Sequence, residues 1–200
     1  MKIAEKTTSS AYLEDLNWRY ATKKFDQTRS LPQEELEQLL QAVRLSASSY
    51  GLQPYKVLVL KDRALRERLQ QACWNQAQIT EASHVIVLAS RTDVDEDLID
   101  TYLHEVASTR NIPMADLEGY GSFMKSKLLE LPVDTKQSWT ARQAYIAVGN
   151  LLSAAAVMRI DTCPMEGFDQ AQADEILGLS DKGLTTAVII PVGYRSEADQ

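Results

Sequence analysis

Cysteine, histidine, glycine and proline are all scarce in this sequence, and each scarcity removes a class of protein. The 200 residues hold two cysteines, Cys73 and Cys163, in no C-x-x-C pair, and two histidines, His84 and His104. A disulfide framework or a structural zinc site needs more ligands than these. The thiols read instead as buried or half-buried groups in a reducing, cytoplasmic compartment. Eight glycines and six prolines exclude collagen-like and low-complexity chains. No apolar run reaches the ~20 residues of a membrane span; the longest, residues 144–158, is interrupted by Asn150 and Ser153. Residues 1–12 carry lysines without an apolar core, so they are not read as a signal peptide. Basic blocks are missing too. Lys and Arg number 21 against 28 Asp and Glu, a net charge of −7 with a pI near 4.9. Such a surface repels a phosphate backbone, which excludes nucleic acid as a partner, as the short apolar runs exclude membrane. A few well-placed cations can still hold one small anion.

What is present is ordinary for a soluble globular chain: 44% apolar and 24% charged residues, with length enough for one sizeable core. A single domain over residues 1–200 is expected. Periodicity predicts a helix from about Ser10 to Tyr20, and a clearer one in which Leu36, Leu39, Leu40 and Val43 recur at helical spacing after Pro32. Val57-Leu58-Val59-Leu60, Val85-Ile86-Val87-Leu88 and residues 185–192 are short continuous apolar runs, the mark of buried strands. Charged helices are predicted across 93–110 and from Pro113 towards Leu131, a long excursion of the kind that forms lids or partner contacts. Residues 137–159 read as a helix apolar nearly all round, buried centrally or in a subunit interface. Helical hairpins between three or four strands give an α+β class.

Several motifs fail on their own chemistry. Gly119-Tyr120-Gly121 lacks a third glycine and a preceding strand, and Gly178 and Gly183 are followed by Leu184-Thr185 where a phosphate loop needs Lys-Ser/Thr. His84, heading an apolar strand, reads as structural, and no Ser/His/Asp set stands out. Three segments carry more. Arg19-Tyr20-Ala21-Thr22-Lys23-Lys24-Phe25 places cations at a helix end, which the helix dipole alone would favour. Ser46-Ala47-Ser48-Ser49-Tyr50-Gly51-Leu52-Gln53-Pro54 is a run of short hydrogen-bonding groups, able to meet a ligand or simply to turn the chain. Cys163-Pro164-Met165-Glu166-Gly167-Phe168 holds backbone between a proline and a glycine, leaving N–H groups able to point at something.

In register with Gln143, Val148-Gly149-Asn150-Leu151 and the closing Val188-Ile189-Ile190-Pro191-Val192-Gly193, these segments resemble the FMN-dependent nitroreductase family. The likeness is strongest to the branch of oxygen-insensitive NAD(P)H nitroreductases and dihydropteridine-reductase-like enzymes, and runs from about Leu13 to Gly193. The resemblance implies a central, mostly antiparallel β-sheet flanked by helices, in an interlocked homodimer with FMN at the subunit interface. It places Arg19 at the FMN phosphate, and Tyr20 and Lys23 by the phosphate, ribityl chain and ring edge. Ser48, Ser49, Tyr50, Gly51 and Gln53 fall on the partner's side of the same flavin. Asn75, Gln143 and the backbone of Pro164, Met165, Glu166 and Gly167 meet the ring, with the Glu166 and Gly167 amides near N5.

The implied activity is hydride transfer from NADH or NADPH through flavin N5 to nitroaromatic, quinone or pterin-like acceptors, with ping-pong kinetics. A flavin carries the redox chemistry itself, which accounts for the missing triad. Departures from the family pattern remove polar flavin contacts: Ala21 stands for a frequent serine, Gly51 for an asparagine and Gln78 for a lysine. Relatives also continue beyond the last strand into a tail that adds a cation at the phosphate. With the sequence ending at Gln200, either it is truncated or phosphate binding rests on Arg19 and Lys23 alone, and weaker FMN retention is expected. A flavin-binding or storage protein with little turnover is the alternative, and a helper that kept the fold without the cofactor a third.

Overall fold

The structure, a computed structural model, describes residues 8–199. Residues 1–7, on which the reading of no signal peptide largely rests, and Gln200 lie outside the described residues.

Four strands, β1 (Tyr55–Leu60), β2 (His84–Arg91), β3 (Asp161–Thr162) and β4 (Leu184–Gly193), form one sheet in the order β1-β2-β4-β3. Every pairing is antiparallel, with Val59 opposite Ile86 and Ile86 opposite Ile190; a lone bridge from Ala21 to Thr162 is parallel. The expected α+β class and mostly antiparallel sheet are what the chain adopts. β3 has only two residues, too few to leave a period in the sequence.

Helices cover both sheet faces, which is why the strands read as unbroken apolar runs. On one face Ile86, Leu88, Val188 and Ile190 pack against α2 (Gln33–Arg44) and α7 (Val133–Val157) through Leu36, Leu39, Val43, Ala144, Ala147 and Leu151. On the other, Val85, Val87 and Ile189 meet α3 (Arg63–Ala72), the short α4 (Gln78–Glu81) and α8 (Gln170–Leu177) through Leu69, Ile79 and Ala173. Alternation along β2 sends neighbouring residues to opposite cores. Each fully buried aliphatic side chain contributes roughly 1.5–3 kcal/mol. Both thiols lie in the second core, as expected, and burial pushes Cys73 up to about 12. His84 is half-buried with Nδ1 3.0 Å from Ser83 Oγ, in keeping with a structural role.

The excursion forms α5 (Glu96–Arg110) and α6 (Glu118–Leu128), joined through a 3-10 turn at Met114–Leu117. Its core of Val94, Ile99, Leu103, Met124 and Leu128 includes Leu52, so it packs onto the loop after α2. Asp62, Asp95 and Asp169 cap α3, α5 and α8 by accepting from Leu65, Leu98 and Gln172 N–H, satisfying donors that a helix start leaves orphaned.

Of the two expectations for α7, burial on every face at the centre of one chain is set aside. The helix starts at Val133, right after Pro132, and is not buried on every face. Arg142, Tyr145, Ile146, Gly149, Asn150 and Val157 are exposed, a stripe at i, i+3, i+4, i+7 spacing. The alanines on both sides hide this asymmetry in the sequence.

Candidate active site

The predicted residues gather in two groups. The first lies where α1 (Thr8–Trp18) runs out against β3 and the loop after it. Thr22 N–H donates to Thr162 O at 3.2 Å, seating residues 19–24 beside 161–167. A buried ion pair fixes this junction: the Arg195 guanidinium bonds Asp161 Oδ1 at 2.5 Å, the Arg195 N–H bonds Oδ2 at 2.7 Å, and Asp161 is 4% exposed. Arg195 also lies over the rings of Trp18 and Tyr20, at 4.2 and 4.4 Å. Its charge is therefore engaged inside the fold.

Arg19 differs. Its Nε is buried and has no hydrogen-bond partner, and the side chain makes no ion pair among the described residues. Among the described residues, the hydrogen-bond partner of Lys23 Nζ is Cys163 Sγ, at 3.9 Å. The backbone N–H groups of Lys23 and Lys24 donate to Asp199 Oδ1 at 3.1 and 2.8 Å, and Tyr20 Oη donates to Asp199 Oδ2 at 2.7 Å. That bond, ahead of burial, pushes the Tyr20 phenol up.

Residues 164–167 are held from three sides. Met165 exchanges backbone bonds with Ile189 at 2.8 and 3.2 Å. Gln76 Nε2 donates to Gly167 O at 2.9 Å, and Tyr145 Oη to Glu166 Oε1 at 2.5 Å. Pro164 fixes the entry to this loop. The N–H groups of Glu166 and Gly167 donate to nothing among the described residues, so a braced loop carries two successive uncommitted donors. Such a pair suits an electron-rich atom. Trp74, left-handed like Asn75 at φ 53° and 59°, lies against it. The Trp74 ring lies 3.0 Å from where a Gly167 Cβ would stand, so Gly167 admits the close approach.

The second group follows α2. Ser49 N–H donates to Gln143 Oε1 at 2.8 Å, and Gln53 N–H to Ser48 Oγ at 2.9 Å. Gln53 Nε2 bonds the carbonyls of Arg44 and Ser46 at 2.9 and 3.0 Å, so this amide braces its own turn. Tyr50 and Gly51 are left-handed, at φ 58° and 80°. A Cβ on Gly51 would stand 2.7 Å from Tyr102 Oη: the tyrosine takes the room an asparagine would need. Tyr50 packs against the α6 rings of Tyr120 and Phe123, centroids 6.5 and 6.4 Å away, and a cleft of about 460 Å³ opens beside Gly51, Leu52 and Gln53.

Among the described residues no hydrogen bond joins the two groups. Sequence reasoning missed Gln76, Tyr145, Asp161 and Asp199, whose contacts span long stretches of chain. Gln78, at the family's lysine position, is buried and turned to Cys163 Sγ at 4.0 Å.

Comparison with known proteins places the chain. The family model described as Nitroreductase family matches residues 16–194. A Bacillus subtilis protein named an NAD(P)H nitroreductase is 37% identical over 197 residues, covering 92% of this chain and 88% of its own. The major NAD(P)H-flavin oxidoreductase of Aliivibrio fischeri is 34% identical over 195 residues, covering 94% and 88%. Among solved structures, a nitroreductase-like protein of Streptococcus mutans superposes with TM-score 0.85 at 21% identity over 96% of this chain and 93% of its own. A nitroreductase of Exiguobacterium sibiricum in complex with FMN gives 0.81 at 20% identity over 94% and 89%. The fold, the order of the site segments and these matches agree: the chain belongs to the nitroreductase family.

Proposed function

We propose that the chain is an FMN-dependent NAD(P)H oxidoreductase whose flavin site is completed by a second copy of itself. The observation that carries this reading is the free donor set of the first group: the unpaired Glu166 and Gly167 N–H groups together with the orphaned Arg19 Nε. For the buried Arg19 Nε the missing partner costs about 1–3 kcal/mol, which an anionic ligand removes, while the amides of exposed Glu166 and half-buried Gly167 are accessible donors. The residues present therefore fit a flavin mononucleotide, with Arg19 and Lys23 at its phosphate, Tyr20 and Asn75 alongside and the 166–167 amides at N5. The names of the NAD(P)H-dependent relatives and the FMN complex of the Exiguobacterium protein support the same cofactor pair.

A bound flavin would supply the hydride chemistry between a nicotinamide donor and an acceptor, with ping-pong kinetics expected. The chain's own groups orient it. Met165, Gln76 and Tyr145 hold the loop so that its donors need no reorganisation. The second group, on the facing protomer, supplies Ser48, Ser49, Tyr50 and Gly51, with Gln143 keeping the loop in place, and Tyr120 and Phe123 wall the acceptor side. Planar nitroaromatic, quinone or pterin-like acceptors suit such aromatic walls. The exposed α7 stripe is the natural contact between copies: Ile146 is 46% and Val157 54% exposed, and nothing stands within 4 Å of a Cβ at Gly149.

The alternative, flavin binding with little turnover, draws on the engaged Arg195 and the buried Gln78. Anaerobic titration separates the two. NADH or NADPH bleaches the yellow protein if it is an oxidoreductase. A yellow protein that neither bleaches is a carrier, and one that takes up no FMN is neither.

A further inference from the structure

We infer that Tyr145 is a positioning residue for the flavin, acting through the Glu166 carboxylate to set how readily the bound cofactor accepts electrons; this rests on the flavin reading above. Glu166 presents two opposed features within one residue. Its N–H, with that of Gly167, donates to nothing among the described residues and favours electron density at the flavin. Its carboxylate, on the same short loop, carries a negative charge that opposes the charge arriving on reduction.

Where that carboxylate points therefore matters, and Tyr145 Oη fixes it at 2.5 Å. The same oxygen lies 3.2 Å from Ala187 O of β4, but its single hydrogen goes to the much nearer carboxylate. Burial, and then the Glu166 bond, push the Tyr145 phenol upwards, so it remains a donor at every physiological pH. Beside the ring lies a cavity of about 500 Å³, lined by Tyr145 itself with Gln137, Gln170 and Thr185 among others. Gln143 and Tyr145, two residues apart on α7, face nearly opposite ways: one braces the Ser49 loop, the other the Glu166 loop. One helix thus orients one loop for each of the two flavin sites of the proposed dimer.

The experiment measures the reduction potential of FMN bound to wild-type protein and to Tyr145→Phe, Glu166→Gln and the double variant, alongside FMN affinity by fluorescence quenching. Tyr145→Phe keeps the ring and frees the carboxylate. The ratio of reduced to oxidised flavin at a fixed potential falls about tenfold, about 30 mV for a two-electron couple. Glu166→Gln removes the charge and raises the ratio, and adding Tyr145→Phe to it changes little, the coupling expected of one shared contact. An unchanged potential in Tyr145→Phe, or the same shift in the Glu166→Gln background, overturns the role of Tyr145 while leaving the flavin reading intact. If Tyr145→Phe fails to fold, a Glu166→Gln potential no higher than wild type overturns it. Wild-type protein that takes up no FMN refutes the flavin reading and this inference with it.

Discussion

Replacing Arg19 by methionine is expected to strengthen the flavin-free protein and weaken its hold on FMN, two effects of opposite sign from one substitution. Arg19 Nε is buried without a partner, and an unsatisfied buried donor costs about 1–3 kcal/mol. Methionine keeps an unbranched side chain of similar reach and removes the donor, so the substitution gains on the order of 1 kcal/mol after imperfect packing. For a chain of this size that raises the melting temperature by roughly 2–4 °C. On the proposed flavin reading the guanidinium would make charge-assisted bonds to the phosphate, about 1.5–3 kcal/mol, so the FMN Kd is expected to rise roughly tenfold to a hundredfold. Circular dichroism melting without flavin reads the first effect, and quenching of FMN fluorescence at fixed ionic strength the second. A variant that melts lower than wild type and binds FMN equally well would refute the reasoning, because Arg19 would then be a structural cation.

The opposite pattern is expected at Arg195. Arg195→Met leaves the Asp161 carboxylate, 4% exposed, without its cation, and breaking a buried pair costs about 3–5 kcal/mol. The partly open edge of this pair favours the lower figure, and urea unfolding should show a large loss of stability. His84 gives a pH dependence. Burial, and then the charges of Lys61 and Arg66, hold its pKa below the ordinary value. Between the two values the unfolded chain binds more protons than the folded one, so stability falls as pH drops below about 6.5. The fall levels off below the folded-state value, and His84→Gln should flatten it in urea midpoints compared at pH 7 and 5.5.

Much of this molecule is legible in its sequence because the sheet is covered on both faces, so Val85-Ile86-Val87-Leu88 and residues 185–192 stand out as continuous apolar runs. α2 is legible for the complementary reason: its Leu36, Leu39 and Val43 are buried, with polar Glu37, Gln38 and Gln41 between them. The long α7 misleads, since alanine carries no sign of whether it faces core or solvent. The site splits along the same line. Local strings give Arg19, the Ser48-Ser49 turn and the Glu166-Gly167 amides. Their supports are invisible, because Tyr145 lies 21 residues from Glu166, Gln76 lies 91 from Gly167 and Asp199 lies 176 from Lys23. Such contacts exist only once the chain has folded.

The central claim is that each flavin site draws one group of residues from each of two chains. Subunit mixing tests it: Arg19→Glu disables the first group, Ser49→Trp the second, and neither variant alone binds FMN. After partial unfolding and reassociation of an equimolar mixture, about half the dimers are hybrids, and each hybrid carries one site with both groups intact. FMN binding should return to about a quarter of the wild-type sites. A mixture that binds no more FMN than the separate variants would contradict the shared site and place both groups on one chain.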